Sequence, residues 1–210
     1  MRIIKMLLIS LTMLYAVTAS ATLSTIGQKG MLQTITAENE GKGIIGIGGY
    51  GQYWQSSVDL LTLTSDYKRG IGNYFVSYVP YNVLEVFIAQ AAGAYQQENP
   101  AERNVGVGDT YLGAKYTNKL RGFAQWGISS SIRMPTGEPE YGLGTTAFEN
   151  TFLLSLDLSG YDITPFKLHF NIGYVKTGES EPETYEASDA LIIRSAVVLP
   201  SRIFSPFIEY

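Results

Sequence analysis

His169 is the only imidazole in the 210-residue chain. The residue types that could work with it stand in the neighbouring segment, where Ser155 and Asp157 fall on one face of an alternating pattern. A Ser-His-Asp set would perform nucleophilic hydrolysis, with His169 as general base, provided that the imidazole reached the serine hydroxyl. The competing reading, a histidine hydrogen-bonded within a polar strand face, is the one carried forward, because such faces routinely present these residues. With no cysteine and one histidine in the chain, zinc lacks its usual donors. Gly46-Ile47-Gly48-Gly49-Tyr50-Gly51 fits the dinucleotide fingerprint G-x-G-x-x-G, but no helical pattern follows Gly51, so these read as strand glycines. The densest charge cluster is Glu179, Glu181, Glu183, Glu186 and Asp189. Its carboxylates would suit calcium or magnesium bridging lipid phosphates, or simply keep a loop solvated.

A set of alternating strands must position these residues. Its clearest part is the hairpin Val105–Met134. In its first arm Thr110, Leu112, Ala114 and Tyr116 share one face, while Asp109, Tyr111, Gly113 and Lys115 share the other. After the turn Asn118–Gly122 the second arm sets Ala124, Trp126, Ile128, Ile132 and Met134 against Gln125, Ser129, Ser131 and Arg133. The same period predicts strands over Gly43–Trp54, Asn73–Val79, Val83–Gln96, Asn150–Leu158, Pro165–Lys176 and Ala190–Leu199, with a ninth beginning near Phe204 and still running at Tyr210. Several reach the roughly 9–11 residues that a tilted strand needs to cross a bilayer.

The connections carry a second signal. Those around Pro80-Tyr81-Asn82, Asn118–Gly122, Ser159–Thr164 and Pro200–Ile203 are short. Those at Gln55–Gly72, Gln97–Asn104, Pro135–Glu149 and Thr177–Asp189 are longer, so short and long alternate, as periplasmic turns and external loops do in a transmembrane barrel.

Residues 1–21 read as a cleaved secretory signal peptide: Arg2 and Lys5 precede the apolar run Met6–Val17, and Ala19-Ser20-Ala21 supplies the small-residue cleavage pattern. Residues 22–42 read as a periplasmic lead-in and 43–210 as the barrel domain. No later run of about eighteen apolar residues predicts a membrane helix. Without Arg2 and Lys5 the chain has 13 basic against 19 acidic side chains, a net charge near −6, which argues against nucleic acid or anionic lipid headgroups as partners. Glycine (22) and tyrosine (15) are abundant, as an all-β chain with many turns requires.

With its leader, its strand pattern and the segments Gly41-Lys42-Gly43, Ser77-Tyr78 through Leu84-Glu85 and Gly108-Asp109 through Lys115-Tyr116, the chain resembles Gram-negative outer-membrane β-barrel proteins of the broad porin or OmpA-like kind. The resemblance covers nearly all of residues 22–210 and rests on patterns of residue class. It implies outer-membrane insertion, contact with membrane lipid and lipopolysaccharide, and passage of small polar solutes; it implies no catalytic residue and no cofactor.

The register of such a barrel follows from cost. Lys115, Arg133 and Lys167 facing lipid would each cost up to roughly 2–4 kcal/mol at the midplane. Leu112, Tyr116, Trp126, Ile128, Ile132, Phe152, Leu154, Leu156, Phe166, Leu168, Phe170 and Ile172 are therefore expected outside. Glu85, Asp109, Lys115, Arg133, Asp157, Lys167, His169, Arg194 and Glu209 are expected to line the lumen, either paired and sealing it or bordering a pore. The fold expected is an all-β, antiparallel, up-and-down transmembrane β-barrel of about nine strands; because bacterial single-chain barrels carry even numbers, the chain is expected to be the N-terminal part of a longer protein, with Val58–Thr64 as a further strand the alternative. Two other readings stay open: an exported soluble lipocalin-type barrel with a lipophilic ligand inside, and a lipid-acting barrel enzyme using His169.

Overall fold

The computed structural model describes residue 28 and residues 33–60, 63–97, 102–139, 143–159, 166–178, 189–199 and 207–210. The expected signal peptide and the acidic cluster Glu179–Glu186 lie outside these. Among the described residues nine strands follow one another: β1 Ile45–Leu60, β2 Leu63–Tyr81, β3 Leu84–Gln97, β4 Glu102–Arg121, β5 Ala124–Met134, β6 Glu149–Ser159, β7 Lys167–Thr177, β8 Ala190–Val198 and β9 Phe207–Glu209. Every neighbouring pair is antiparallel, in the linear order β1 to β9. The sheet curls into an open half-barrel, and no α-helix occurs among the described residues.

The described parts of two expected loops are strand instead. Gln55–Leu60 extends β1 and Leu63–Gly72 belongs to β2, paired from Leu60↔Leu63 to Gly51↔Gly72. Likewise Gln97 and residues 102–104 belong to β3 and β4. Polar residues interrupt the apolar alternation there, but a ladder pairs backbone groups and needs no apolar face to do so. The remaining long connections are 135–148 and 178–189.

Alternation splits the sheet into two unlike faces. On the convex face Ile47, Val76, Ile88, Leu112 and Ile132 form one cross-strand row, and Tyr116, Ile128, Leu154, Ile172 and Ile193 form another. All ten are exposed. The concave face is buried and largely polar, with Ser77, Glu85, Asp109, Lys115, Asp157, His169 and Asn171 among its members. Its few large apolar groups lie over glycines on the adjacent strand: Phe75 over Gly48, Phe87 over Gly113 and Leu153 over Gly173, each a direct cross-strand partner. The missing side chain leaves room for the ring or isobutyl group, which covers the bare backbone in return.

Residues 33–40, expected ahead of the barrel, run across the concave face as an internal strap. A turn at Gly41 (φ 110°) and Gly43 (φ 84°) then leads into β1, and this left-handed backbone is the conformation glycine adopts without steric cost. Asn82, in the β2–β3 turn, pins it: its side chain accepts from Lys42 N at 3.1 Å, and its carbonyl accepts from Asn39 Nδ2 at 3.2 Å.

Candidate functional site in the barrel interior

The candidate site is the concave face together with the two segments folded onto it. The strap meets six consecutive strands. From β4, Lys115 Nζ donates to the Thr36 and Glu38 carbonyls at 3.2 and 2.9 Å. On β5, Gly127 leaves the space against which Ala37 lies, since a Cβ there would stand 3.5 Å from Ala37 Cα. From β6, Asp157 Oδ2 accepts from Ala37 N at 2.8 Å. On β7, Asn171 pairs with both backbone groups of Ile35, and Lys167 Nζ meets Glu38 Oε1 at 2.6 Å. On β8, Arg194 donates to the Gln33 carbonyl at 3.0 Å; on β9, Glu209 accepts from Gln33 N at 2.9 Å and from Thr34 N. Thr34, Ile35, Thr36 and Ala37 are all buried as a result.

The wall beneath is internally paired. Glu85 and Lys115 are direct partners on β3 and β4, 2.7 Å apart, and Lys115 is 0% exposed. Asp157 and His169 are direct partners on β6 and β7 with Nδ1–Oδ1 at 2.9 Å, a pair that is ionic only when the imidazole is protonated. Ser155 faces Asn171 in the same ladder, and its Oγ accepts from Asn171 Nδ2 at 3.0 Å. Among the described residues the serine hydroxyl is thus bonded to Asn171 and not to His169, so the link from nucleophile to base is missing.

At the other end of the wall, a β-bulge sets Gly108 and Asp109 of β4 opposite the single residue Ala91 of β3, and Asp109 points inward. Its carboxylate accepts four hydrogen bonds: from Arg133 Nε at 2.7 Å, Gly137 N at 3.0 Å, Thr145 N at 2.9 Å and Thr145 Oγ1 at 2.9 Å. Three of these come from the described residues of the 135–148 connection, whose Leu143 is buried over Gly93 and Gly106. Gly108, Gly137 and Gly144 let backbone approach backbone here, since a Cβ on Gly137 would fall within 3 Å of both of the others. Arg133 also lies 3.7 Å from Glu149 and 5.5 Å over the Tyr111 ring. A cavity of about 210 Å³ remains between this loop and the β1–β3 wall, bordered by Gln52, Arg69, Asn73, Tyr111 and Arg133.

All nine residues expected in the lumen face inward, but in two groups. Lys115, Asp157, Lys167, Arg194 and Glu209 touch the strap directly, with Glu85 and His169 paired behind them; Asp109 and Arg133 hold the loop. Sequence reasoning missed the strap and the loop residues Gly137, Leu143 and Thr145. The only signals were the β-prone run Thr34-Ile35-Thr36 and the glycines bracketing Leu143. No group of three His, Cys, Asp or Glu among the described residues could hold a metal ion.

Fold and interior together define an all-antiparallel, up-and-down incomplete β-barrel with an internal strap. No protein family, no curated protein and no solved structure matches the chain.

Proposed function

We propose that the chain is an integral outer-membrane β-barrel whose interior is held closed by the strap 33–40, so that it serves envelope structure in its resting state. The observation that carries this reading is the inversion between the faces: Leu112 is 50% exposed on the convex side, while Lys115, three residues on, is 0% exposed on the concave side. Monomers in water rarely expose contiguous apolar patches beyond a few hundred Å². Against acyl chains the same rows are at home, and strands β2 to β7 are hydrogen-bonded to a neighbour on both sides, so their backbone groups are met within the sheet. A lipocalin-type barrel would need the apolar set inside, where this chain keeps its ion pairs.

The cavity of about 210 Å³ beside Asp109 favours a second reading, passive diffusion of small polar solutes. Urea extraction of the membrane fraction tests location, and release into the supernatant would sink the membrane reading. Planar-bilayer recording separates the two roles. The wild-type chain is expected to give few or no steps, and a strap-releasing variant, Asn171→Leu with Asp157→Asn, to give frequent ones. Steps of equal frequency in both would favour the diffusion role over the closed one.

A further inference from the structure

The register builds the cavity of about 210 Å³ between the 135–148 connection and the β1–β3 wall. Asn73 of β2 faces Ala91 of β3, which faces the Gly108–Asp109 bulge of β4; Gln52, Ile71, Gly93 and Gly106 form the next concave row. Small residues thus hollow the wall between Leu143, which lies over Gly93 and Gly106, and Tyr111, which stands in the row on the far side opposite Ala89. The charged groups here are already matched. The Asp109 carboxylate accepts four hydrogen bonds, Arg133 pairs with Asp109 and Glu149, and Arg69 has an interaction of its own. The groups left over are neutral. Gln52 Nε2 donates to the Tyr50 hydroxyl at 2.6 Å, and among the described residues the Gln52 carbonyl oxygen, the Asn73 carboxamide and the Tyr111 hydroxyl meet no hydrogen-bond partner.

The geometry points to this cavity as a binding site for a neutral, monosaccharide-sized polyol, with hydroxyls on Gln52, Asn73 and Tyr111 and a C–H face against Ile71, Ala91 and Leu143. Such a site belongs to the diffusion reading, in which small polar solutes enter the interior, and rests on it. Two features select the class. A charged solute would leave water for a wall whose ions are already engaged, so nothing there offsets its desolvation. A hydrocarbon would strand the carboxamides and the phenol without partners. A hydroxylated ring satisfies them, because hydroxyls, carboxamides and phenols each both donate and accept. Size agrees as well: the space exceeds what one water fills and falls below the roughly 300–1,000 Å³ of pockets for drug-sized ligands.

Saturation-transfer difference NMR tests it on the full chain in micelles of a zwitterionic detergent that carries no sugar headgroup. Glucose, galactose and mannose are the neutral probes, and the 6-phosphate and 2-amino derivative of each are its charged counterparts. At least one hexose is expected to bind about ten-fold or more tightly than both of its charged counterparts. Tyr111→Phe, which removes only the hydroxyl, and Asn73→Ala should each weaken that binding about three-fold or more. Asn118→Ala, an exposed position beside the β4–β5 turn, should leave it unchanged. Saturation transfer to none of the hexoses, equal affinity for neutral and charged forms, or a titration unchanged in both wall variants would each overturn the assignment. Swelling of proteoliposomes in isosmotic hexose reads the diffusion role separately. Swelling without saturable binding keeps that role and loses the site, whereas binding without swelling keeps the site and loses the role.

Discussion

Asn171 grips both backbone groups of Ile35: its carboxamide oxygen accepts from the Ile35 N–H at 2.8 Å, and its amide donates to the Ile35 carbonyl at 2.8 Å. One side chain thereby replaces the neighbouring strand that the strap lacks. Asn171→Leu would strip both partners from buried groups, at about 1–3 kcal/mol each. A cysteine at Ile35, a position 2% exposed, is expected to resist a water-soluble maleimide in the otherwise wild-type chain. In the Asn171→Leu background it should react at least about ten-fold faster. Identical labelling rates would mean that the strap does not depend on this pairing.

Among the described residues, Glu85 and Lys115 form a deeply buried ion pair, their side chains 2% and 0% exposed. Losing one member strands a charge without compensation, so Lys115→Met and Glu85→Leu should each destabilise the fold by about 3–5 kcal/mol. Removing both leaves no orphaned charge, only the Thr36 and Glu38 carbonyls that Lys115 had met, and the double variant should cost well under the sum. Urea unfolding of the refolded protein in micelles measures all three, and strictly additive losses would refute the coupling.

Asp109 decides where the 135–148 loop sits. Asp109→Asn keeps the size of the group but removes the charge that four donors share, and hydrogen bonds to charged groups contribute about 1.5–3 kcal/mol each. Cleavage within 135–148 by an added protease should accelerate about ten-fold or more. Thr145→Val, which deletes one donor, should accelerate it less. The paired sheet should resist cleavage in both variants, and a loop no more labile than in the wild type would contradict the anchoring role.

At the base of the 178–189 connection, the Tyr174 hydroxyl and then the Thr177 amide hold the Asp189 carboxyl below its ordinary value of 3.8. A depressed folded-state value means that the clamp contributes above 3.8 and is lost as pH falls through the folded value. Hydrogen exchange at Thr177 N–H is the local readout. Protection in the wild type should exceed that in Asp189→Asn at neutral pH, and the two should converge in acid. A difference that grew on acidification would reverse the sign and exclude the clamp.

The faces of the sheet were legible because a strand repeats every two residues. In β7, Leu168, Phe170 and Ile172 alternate with Lys167, His169 and Asn171, and the sheet turns the first set to its convex face and the second to its concave one. Strand ends were harder to read, since Gln55–Leu60 and Leu63–Gly72 pair through backbone and carry no apolar rhythm. The strap was illegible for a different reason. Ile35 and Ala37 find their partners 136 and 120 residues away, and nothing near them in the chain announces an inward path. Ser155, Asp157 and His169 looked like a hydrolase set because alternation fixes a face but not which residues stand opposite; the register pairs Ser155 with Asn171 and Asp157 with His169.

Those same separations order events in time. Contacts spanning 136 residues to Asn171 and 175 to Glu209 repay the entropy of closing the intervening chain only after the ladder between them exists. A hairpin such as β4–β5, closed by a two-residue turn at Gly122-Phe123, meets no such delay. The strap therefore seats last, as a lock that only a correctly registered sheet can accept: a one-residue slip of β7 would turn Asn171 outward and leave Ile35 without its partner. In pulse-labelling hydrogen exchange during refolding, protection at Ile35 N–H is expected to lag that in β5 and β6, and simultaneous protection would show that the strap docks while the sheet is still forming.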